Sequence, residues 1–593
     1  MSKEKTMKIS EVKGRPMLHW IGKQPLNVVK AFPAQLAETF NIDKASKNPT
    51  YENLKDKWTN LLFHGDNKEI LSTLLVNGFR GKIDLIYIDP PFDSGADYVR
   101  KVELRGTKTK LEGEEQSLIE QVQYTDIWAN DNYLQFMYER LILLRELLSE
   151  QGSIYLHCDW HKNHHLRFLL DEVFGVDNFV NEIIWYYSNK FKFEFSTSFG
   201  GDTETIFIYA KSKGKHILNH IKVPVKNKRK QNKVTWDAKQ KKMVTVKDEN
   251  GKVVYYDSDE KIVGTLWDIP RLNSMATVIT GYPTQKPDDL LERIIKASTN
   301  EDSFVLDCFM GSGTTQAVAQ KLGRRWIGCD INKGAIQTTS KRLQNVIKEQ
   351  AKEFKFDNKY NSFAYYKIND YDLQIQHNEF KELIVSHLGM KKVKTDNFFD
   401  GILGDKLVKI ISFNHPLTML DLQLVKDEIA KRKNEERNIV LVSFGIELKV
   451  IEELEQYNKT HPINRIEFIE LKTDKKYGSF FIHKPAQADV EIKRNDKNAK
   501  IEIKEFISPS ILNRLNIDMG LFRTKIDDFR SQIDVVLIDT NYKGDVFNIC
   551  ISDVPEKKKD FVKGIYEFEL TNKNNKIAIK IIDMLGEEIL VVD

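Results

Sequence analysis

Residues 303–330 read SFVLDCFMGSGTTQAVAQKLGRRWIGCD, and the reading of the whole chain turns on them. The apolar run Ser303–Asp307 predicts a strand, Gly311-Ser312-Gly313 a turn, Thr314–Leu322 a helix and Arg325–Asp330 the next strand. That is one complete βαβ unit. Glycines at the end of a strand let the backbone approach a ligand closely, and the helix that follows favours negative groups at its start. No lysine stands where a phosphate-cradling loop needs one, and Gln316 takes the place of the third glycine of a dinucleotide fingerprint. Asp330 sits at a strand tip about twenty residues beyond the first strand, the spacing at which an acid accepts hydrogen bonds from both ribose hydroxyls. A glycine turn alone could mark no more than a tight connection. Turn and acid together predict an adenosine-containing cofactor.

Upstream, Ile83–Ile88 is a short apolar strand that must stop at Asp89-Pro90-Pro91, because two prolines cannot continue a ladder. Leu134, Met137, Leu141, Leu144 and Leu148 recur at helical spacing. Gly152–His157 predicts a strand, Leu166, Leu169, Leu170 and Val173 a helix, and Glu182–Tyr187 and Thr205–Ala210 two further strands. The alternation predicts an α/β fold, a Rossmann-like, mostly parallel sheet with helices on both faces. Beyond Lys352 the glycine-rich pattern ends. Ile439–Phe444 and Val535–Asp539 predict strands, and Lys576–Asp583 with Glu588–Val592 a hairpin. The expected division is an N-terminal extension over 1–55, the main α/β domain over 56–350, a second α/β region over 351–500 and a small β-rich domain over 501–593.

A chain of 593 residues exceeds one ordinary core, and its 41% hydrophobic and 30% charged composition is that of a soluble globular protein. The lysine-rich start, the lack of a long uncharged stretch and four scattered cysteines predict a cytoplasmic protein with reduced thiols and no membrane partner. The net charge of +4 says little by itself. Its distribution says more. Between Lys211 and Lys252 about fourteen Lys or Arg face three acids, Asp237, Asp248 and Glu249. Lys226, Lys228, Arg229, Lys230 and Lys233 are candidate phosphate contacts there, although a solvated loop would show the same composition.

Asp89-Pro90-Pro91-Phe92 places a carboxylate and a ring at the C-terminal end of a strand, the edge where open α/β sheets bind ligands. An isolated Asp-Pro-Pro would more often be a stiff turn with a capping acid. Here it also suits a base turned out of a duplex, with Phe92 as a stacking face and Asp89 and the Pro90 carbonyl as acceptors for an amino group.

Asp89-Pro90-Pro91-Phe92, Tyr282-Pro283-Thr284-Gln285-Lys286-Pro287 and Phe309-x-Gly311-x-Gly313 resemble three hallmark motifs of the amino-methyltransferases acting on DNA. Their order, over about residues 60–345, resembles the β class of that family, which includes modification subunits of type III restriction systems. Tyr282 departs from the histidine of many relatives. The resemblance implies S-adenosylmethionine as cofactor. It implies that Asp89, Pro90, Pro91 and Phe92 hold the target base and that Phe309, Gly311 and Gly313 line the cofactor. It puts Asp330 on the ribose, Asp307 near the methionine end, and Thr284, Lys286 and Asp66 close by. It makes 211–262 a target-recognition insert. Asp-Pro-Pro resembles the adenine-N6 members; cytosine-N4 members more often show Ser-Pro-Pro. Double-stranded DNA is the implied partner, and relatives point to a helicase–nuclease restriction subunit and to homodimers. Alternatives are a cytosine-N4 enzyme, a DNA-binding specificity subunit whose methylation is dispensable, and methylation of RNA or a protein amide.

Two other clusters are read conservatively. His157, Asp159, His161, His164 and His165 crowd together, but methyl transfer from a sulfonium needs no metal and the adjoining helix buries leucines, so no metal site is expected. Asp539 lacks a clear Glu-x-Lys partner. Glu491-Ile492-Lys493 and Glu502-Ile503-Lys504 alternate like half-exposed strands, and no nuclease is expected.

Overall fold

The computed structural model describes residues 6–10, 17–20, 23–41, 58–91, 100–106, 110–113, 132–189, 201–237, 241–272, 285–352, 360–368, 384–385, 388–391, 396, 398–411, 417–432, 435–443, 446, 448–470, 486–495, 497–509, 511–512, 526, 528–555, 557, 559–570, 572 and 574–593. The main sheet is built from β1 (Ala34–Asn41), β2 (Asn60–His64), β3 (Ile83–Ile88), β4 (Leu148–Cys158), β5 (Phe179–Tyr186) and β6 (Thr203–Ala210). After an insert come β7 (Leu266–Asp268), β8 (Phe304–Asp307), β9 (Arg325–Asp330) and β10 (Ser362–Ile368), with β11 (Phe547–Ile549) arriving from near the end of the chain. The strand order across this 11-stranded sheet is β7-β5-β6-β4-β3-β8-β9-β2-β10-β1-β11. From β4 to β10 every neighbouring pair is parallel. The flanks turn antiparallel, β6 against β4 and β5, and β1 against β10.

Alternation within each strand feeds two cores, because successive side chains of a strand point to opposite faces. Ile86, Ile88, Leu306 and Ile327 pack on one face with α1 (Asn67–Leu74), α2 (Asn132–Leu147) and α3 (Asn163–Phe174). Leu85, Tyr87, Val305 and Trp326 pack on the other, with α4 (Asp288–Ser298), α5 (Thr314–Lys321) and α6 (Lys333–Lys352). The fold is the doubly wound α/β architecture expected, and the βαβ unit β8-α5-β9 lies at its centre.

The second α/β region holds strands Gly401–Leu403, Lys406–Ile410, Ile439–Ser443 and Ile466–Glu470, hydrogen-bonded in that order. Helices Met419–Lys431 and Leu448–Thr460 cover one face through Leu422, Val425, Val450 and Leu454. The C-terminal region is β-rich. A sheet containing Gln487–Arg494 and Asn498–Ile507 shares a core with one containing Ile533–Tyr542 and the hairpin Lys576–Asp583/Glu588–Val592. It is stitched to the main sheet. β11 pairs with β1, and Val535, Leu537, Ala578 and Ile582 enter the core under α6. Asp539 belongs to this seam: its carboxylate accepts from the Asn541 and Asn548 backbone amides at 2.9 and 2.7 Å, and Thr39 donates to Asn548 at 2.7 Å. No described helix is long and apolar enough to cross a membrane.

Candidate active site

The acids singled out from the sequence converge because each follows the C-terminal end of a parallel strand. Asp89 follows β3, Asp307 ends β8, Asp330 ends β9, and Asp66 lies just beyond β2. β3 and β8 are direct neighbours, with Leu85 opposite Val305 and Ile86 opposite Leu306. Motifs more than two hundred residues apart in the chain therefore share one edge.

The glycine turn is fixed by its surroundings. Gly311 and Gly313 have φ of 48° and 69°, the left-handed region that favours glycine. A Cβ on Gly313 would meet Thr339 of α6 at 2.5 Å. Asp330 braces the turn: one carboxylate oxygen accepts from the Gly311 amide and the other from the Asn332 amide, each at 2.9 Å. Burial pushes the Asp330 carboxyl up to about 6 against the pull of these amides. Asp307 is buried more deeply. It accepts from the Thr315 hydroxyl at 2.6 Å and the Phe309 amide at 3.0 Å, and burial raises its carboxyl to about 7 over those two bonds.

Asp66 caps α1 by accepting from the Lys68 amide at 2.6 Å. Arg140 of α2 grips both its oxygens, at 3.1 and 3.0 Å, and also bonds Asn67, whose amide reaches the Cys308 carbonyl at 3.1 Å. The Arg140 guanidinium lies 3.4 Å from the Phe136 ring centre, and that ring neighbours Phe309. These residues suit the S-adenosylmethionine that the sequence implies. Carboxylates at strand tips accept from hydroxyls or an ammonium, a glycine turn admits close backbone approach, and the turn lacks a phosphate-binding lysine.

Around Asp89 the structure adds what the sequence did not announce. Lys286 lies 3.1 Å from Asp89 Oδ2 and 3.1 Å from Glu204 Oε2 of β6. His157 of β4 is fully buried, its Nε2 2.7 Å from Glu204 and its Nδ1 2.9 Å from the Tyr87 hydroxyl. Burial would lower the Lys286 ammonium, but Asp89 and Glu204 outweigh it and hold it above its ordinary value. Burial would likewise raise Glu204, yet Lys286 and His157 hold it well below the usual carboxylate range. Lys286 also sits 5.7 Å from the Trp185 ring centre. Asp89 Oδ1 is buried and has no hydrogen-bond partner among the described residues; His157 Nδ1 stands 3.9 Å away, beyond hydrogen-bond reach. A buried lone acceptor is costly, and a donor from outside the protein would satisfy it.

Glu204, His157 and Arg140, which the structure brings to this edge, were not among the residues expected there. Glu204 lies one residue before the run Thr205–Ala210 read as a strand, His157 was weighed only within the histidine cluster, and Arg140 sits in a helix read for its leucines. An acid inside a buried strand was the signal available for Glu204. Of the expected site residues, Phe92 and Thr284 lie outside the described residues, as do Tyr282 and Pro283. The histidine cluster disperses. His157 turns inward, whereas His161 stacks on Trp160 at 3.7 Å and pairs with Asp159 at 2.6 Å.

The basic insert forms two antiparallel ribbons, Lys222–Asn232 with Tyr255–Ile262 and Val234–Asp237 with Lys242–Thr245. Lys230 and Lys233 are exposed; the side chains of Lys226, Lys228 and Arg229 lie outside the described set. The pairing sets Asp257 opposite Lys230 and brings Lys222 within 3.6 Å of Glu260. The charge excess counted over 211–252 is thus offset in part by a strand that follows it. Trp236, Tyr255 and Tyr256 stand exposed on the same ribbons.

Residues 83–341 match a family model described as DNA methylase. The type II methyltransferase M1.MboII of Moraxella bovis is 32% identical over 216 residues, covering 34% of this chain and 76% of that protein. The DNA adenine methyltransferase YhdJ of Escherichia coli is 26% identical over 292 residues, covering 49% of this chain and 85% of that protein. The Mod subunit of the type III restriction-modification enzyme StyLTI of Salmonella typhimurium is 26% identical over 423 residues, covering 59% of this chain and 64% of that protein.

Proposed function

The chain belongs to the DNA methylase family, and from that premise we propose that it methylates the N6 amino nitrogen of adenine in duplex DNA, with S-adenosylmethionine as donor. The observation that carries the reading is Asp89 Oδ1, a buried acceptor with no described partner, beside the strand that ends in the glycine turn. The Asp-Pro-Pro motif and the printed name of YhdJ support adenine over cytosine.

S-adenosylmethionine, when bound, supplies an electrophilic methyl group on a sulfonium. The residues to hold it are Asp330 on the ribose, Gly311, Gly313 and Phe309 along the turn, and Asp66, Asp307, Thr284 and Lys286 around the methionine end. Pro90 and Pro91 fix the backbone after β3, and Phe92 stacks on the extruded base. Unstacking a base costs a few kcal/mol, returned by stacking and new hydrogen bonds. Asp89 accepts one amino N–H at Oδ1 and the Pro90 carbonyl the other, which turns the nitrogen lone pair out of conjugation and toward the donor. As positive charge develops on nitrogen, the carboxylate stabilises it in a site already organised for that charge; the methyl–nitrogen bond replaces the methyl–sulfur bond, with S-adenosylhomocysteine as leaving group and the displaced amino proton released to solvent. Alignment contributes the rest.

The insert over 211–262, with Lys226, Lys228, Arg229, Lys230 and Lys233, contacts the duplex. The likeness to type III Mod subunits supports a role as the modification component of a restriction-modification system, working in the cytoplasm beside a helicase–nuclease partner.

Incubating the purified chain with duplex DNA and isotopically labelled S-adenosylmethionine, followed by mass spectrometry of the nucleosides, tests the reading. Labelled N6-methyladenine is expected. N4-methylcytosine would keep the mechanism and overturn the base, and no transfer would overturn the activity.

A further inference from the structure

Lys286 is placed to neutralise the carboxylate that the reaction needs charged. It lies 3.1 Å from Asp89 Oδ2, in a site shielded from water. A lone Lys–Asp pair there would carry no net charge and would give little stabilisation to a cationic nitrogen. Glu204 changes that balance. It sits 3.1 Å from the same ammonium, so one cation is shared between two carboxylates. His157 stands behind Glu204, its Nε2 2.7 Å from that carboxylate and its Nδ1 2.9 Å from the Tyr87 hydroxyl. Asp89, Glu204 and Lys286 thus form a cluster that sets two carboxylates against one ammonium. Tyr87 and Asp307 also face it, the one kept neutral by burial and the other drawn toward its protonated form.

The geometry matters as much as the charge. Lys286 occupies Oδ2 of Asp89 and leaves Oδ1 without a described partner. His157 is fixed by the pairing of Ile206 with His157 across β6 and β4, and Glu204 by the pairing with Trp185 across β6 and β5. Trp185 packs edge-on against His157 at 5.5 Å. The antiparallel flank of the sheet therefore supplies Glu204 and Trp185 to the ammonium that also pairs with Asp89.

We propose that Glu204, oriented by His157, is a positioning residue for methyl transfer: by sharing Lys286 it keeps the Asp89 site net negative and leaves Oδ1 free to accept the amino group of the target base. The proposal rests on the methyltransferase reading above and deepens it.

The test compares full-length wild type, Glu204→Gln, Glu204→Asp and the double variant Glu204→Gln with Lys286→Met. Methyl transfer to duplex DNA is followed for each, with binding of S-adenosylhomocysteine by calorimetry and thermal unfolding alongside. Glu204→Gln is expected to lower kcat by about 10- to 100-fold, with KM for DNA and affinity for S-adenosylhomocysteine within about threefold. Glu204→Asp should recover part of kcat, and with Lys286→Met measured alone beside them, the double variant should lose less than the product of the two single losses, because both act through Asp89. Wild-type kcat in Glu204→Gln would overturn the proposal. So would a parallel fall in kcat, ligand affinity and melting temperature, the mark of a merely structural residue. A wild-type chain that transfers no methyl would instead overturn the underlying reading.

Discussion

The edge of the main sheet holds two groups of acids that solve opposite problems. Asp89 and Glu204 flank a buried lysine, and the cation keeps Glu204 ionised despite its burial. Asp307 and Asp330 have no such cation among the described residues; they are held by backbone amides and a threonine hydroxyl, and burial raises both carboxyls, to about 7 and about 6. The first arrangement suits charge stabilisation during a reaction. The second suits a loop that must be rigid and that offers acceptors to a neutral sugar. Two carboxylates a few residues from adjacent strand tips thus differ in behaviour through their partners alone.

The largest expected break in this contrast is Asp89→Ala. Lys286 would keep Glu204, so the fold should survive, while methyl transfer should fall by about 10²- to 10³-fold or more with S-adenosylhomocysteine binding nearly intact. Single-turnover methylation beside calorimetry measures both.

Gly313→Ala attacks the other group. The left-handed φ of 69° and the 2.5 Å approach to Thr339 should cost about 2–4 kcal/mol in stability. Affinity for the cofactor should fall at least about tenfold with it, as read by thermal unfolding and calorimetry. A variant that binds normally would show that the turn does not contact the cofactor.

A smaller effect distinguishes the two groups by pH. Burial lifts the Asp330 carboxyl to about 6 in the folded chain, so it ionises as pH rises through that value and, if the proposed ribose contact holds, its carboxylate then accepts those hydroxyls more strongly. Affinity for S-adenosylhomocysteine should therefore increase up to about tenfold between pH about 5 and about 7.5. Asp330→Asn should bind more weakly and flatten that profile. A pH slope that persists in the variant would assign the titration elsewhere.

The smallest effect is expected on the insert. Lys233→Ala should raise the KM for DNA a fewfold and reduce the salt dependence by about one phosphate contact. Lys230→Ala should do less, since Asp257 stands opposite it. Titrating activity against salt concentration would sharpen or remove the distinction.

Much of the fold and half of the site were legible in the sequence. The strand ending in Asp89-Pro90-Pro91, the glycine turn and the acid at position 330 are local patterns, set by ring geometry, φ and covalent spacing, and the structure places them at one sheet edge. The basic insert was legible as charge but not as a ribbon, so the acids of Tyr255–Ile262 that face it went uncounted. The seam that brings β11 into the main sheet was not legible at all, because a three-residue strand from the far end of the chain carries no periodic signal.

By itself the sequence determined the doubly wound pattern, its glycine turn and the carboxylate that follows the strand before Pro90, because each follows from residues within about thirty positions of one another. Only the tertiary structure decided that Lys286 would be shared between Asp89 and Glu204, that His157 would stand behind them, and that Arg140 would hold Asp66. Those contacts depend on strand register and on which helix covers which face, and register is settled by the packing of the whole core, not by any local run of residues.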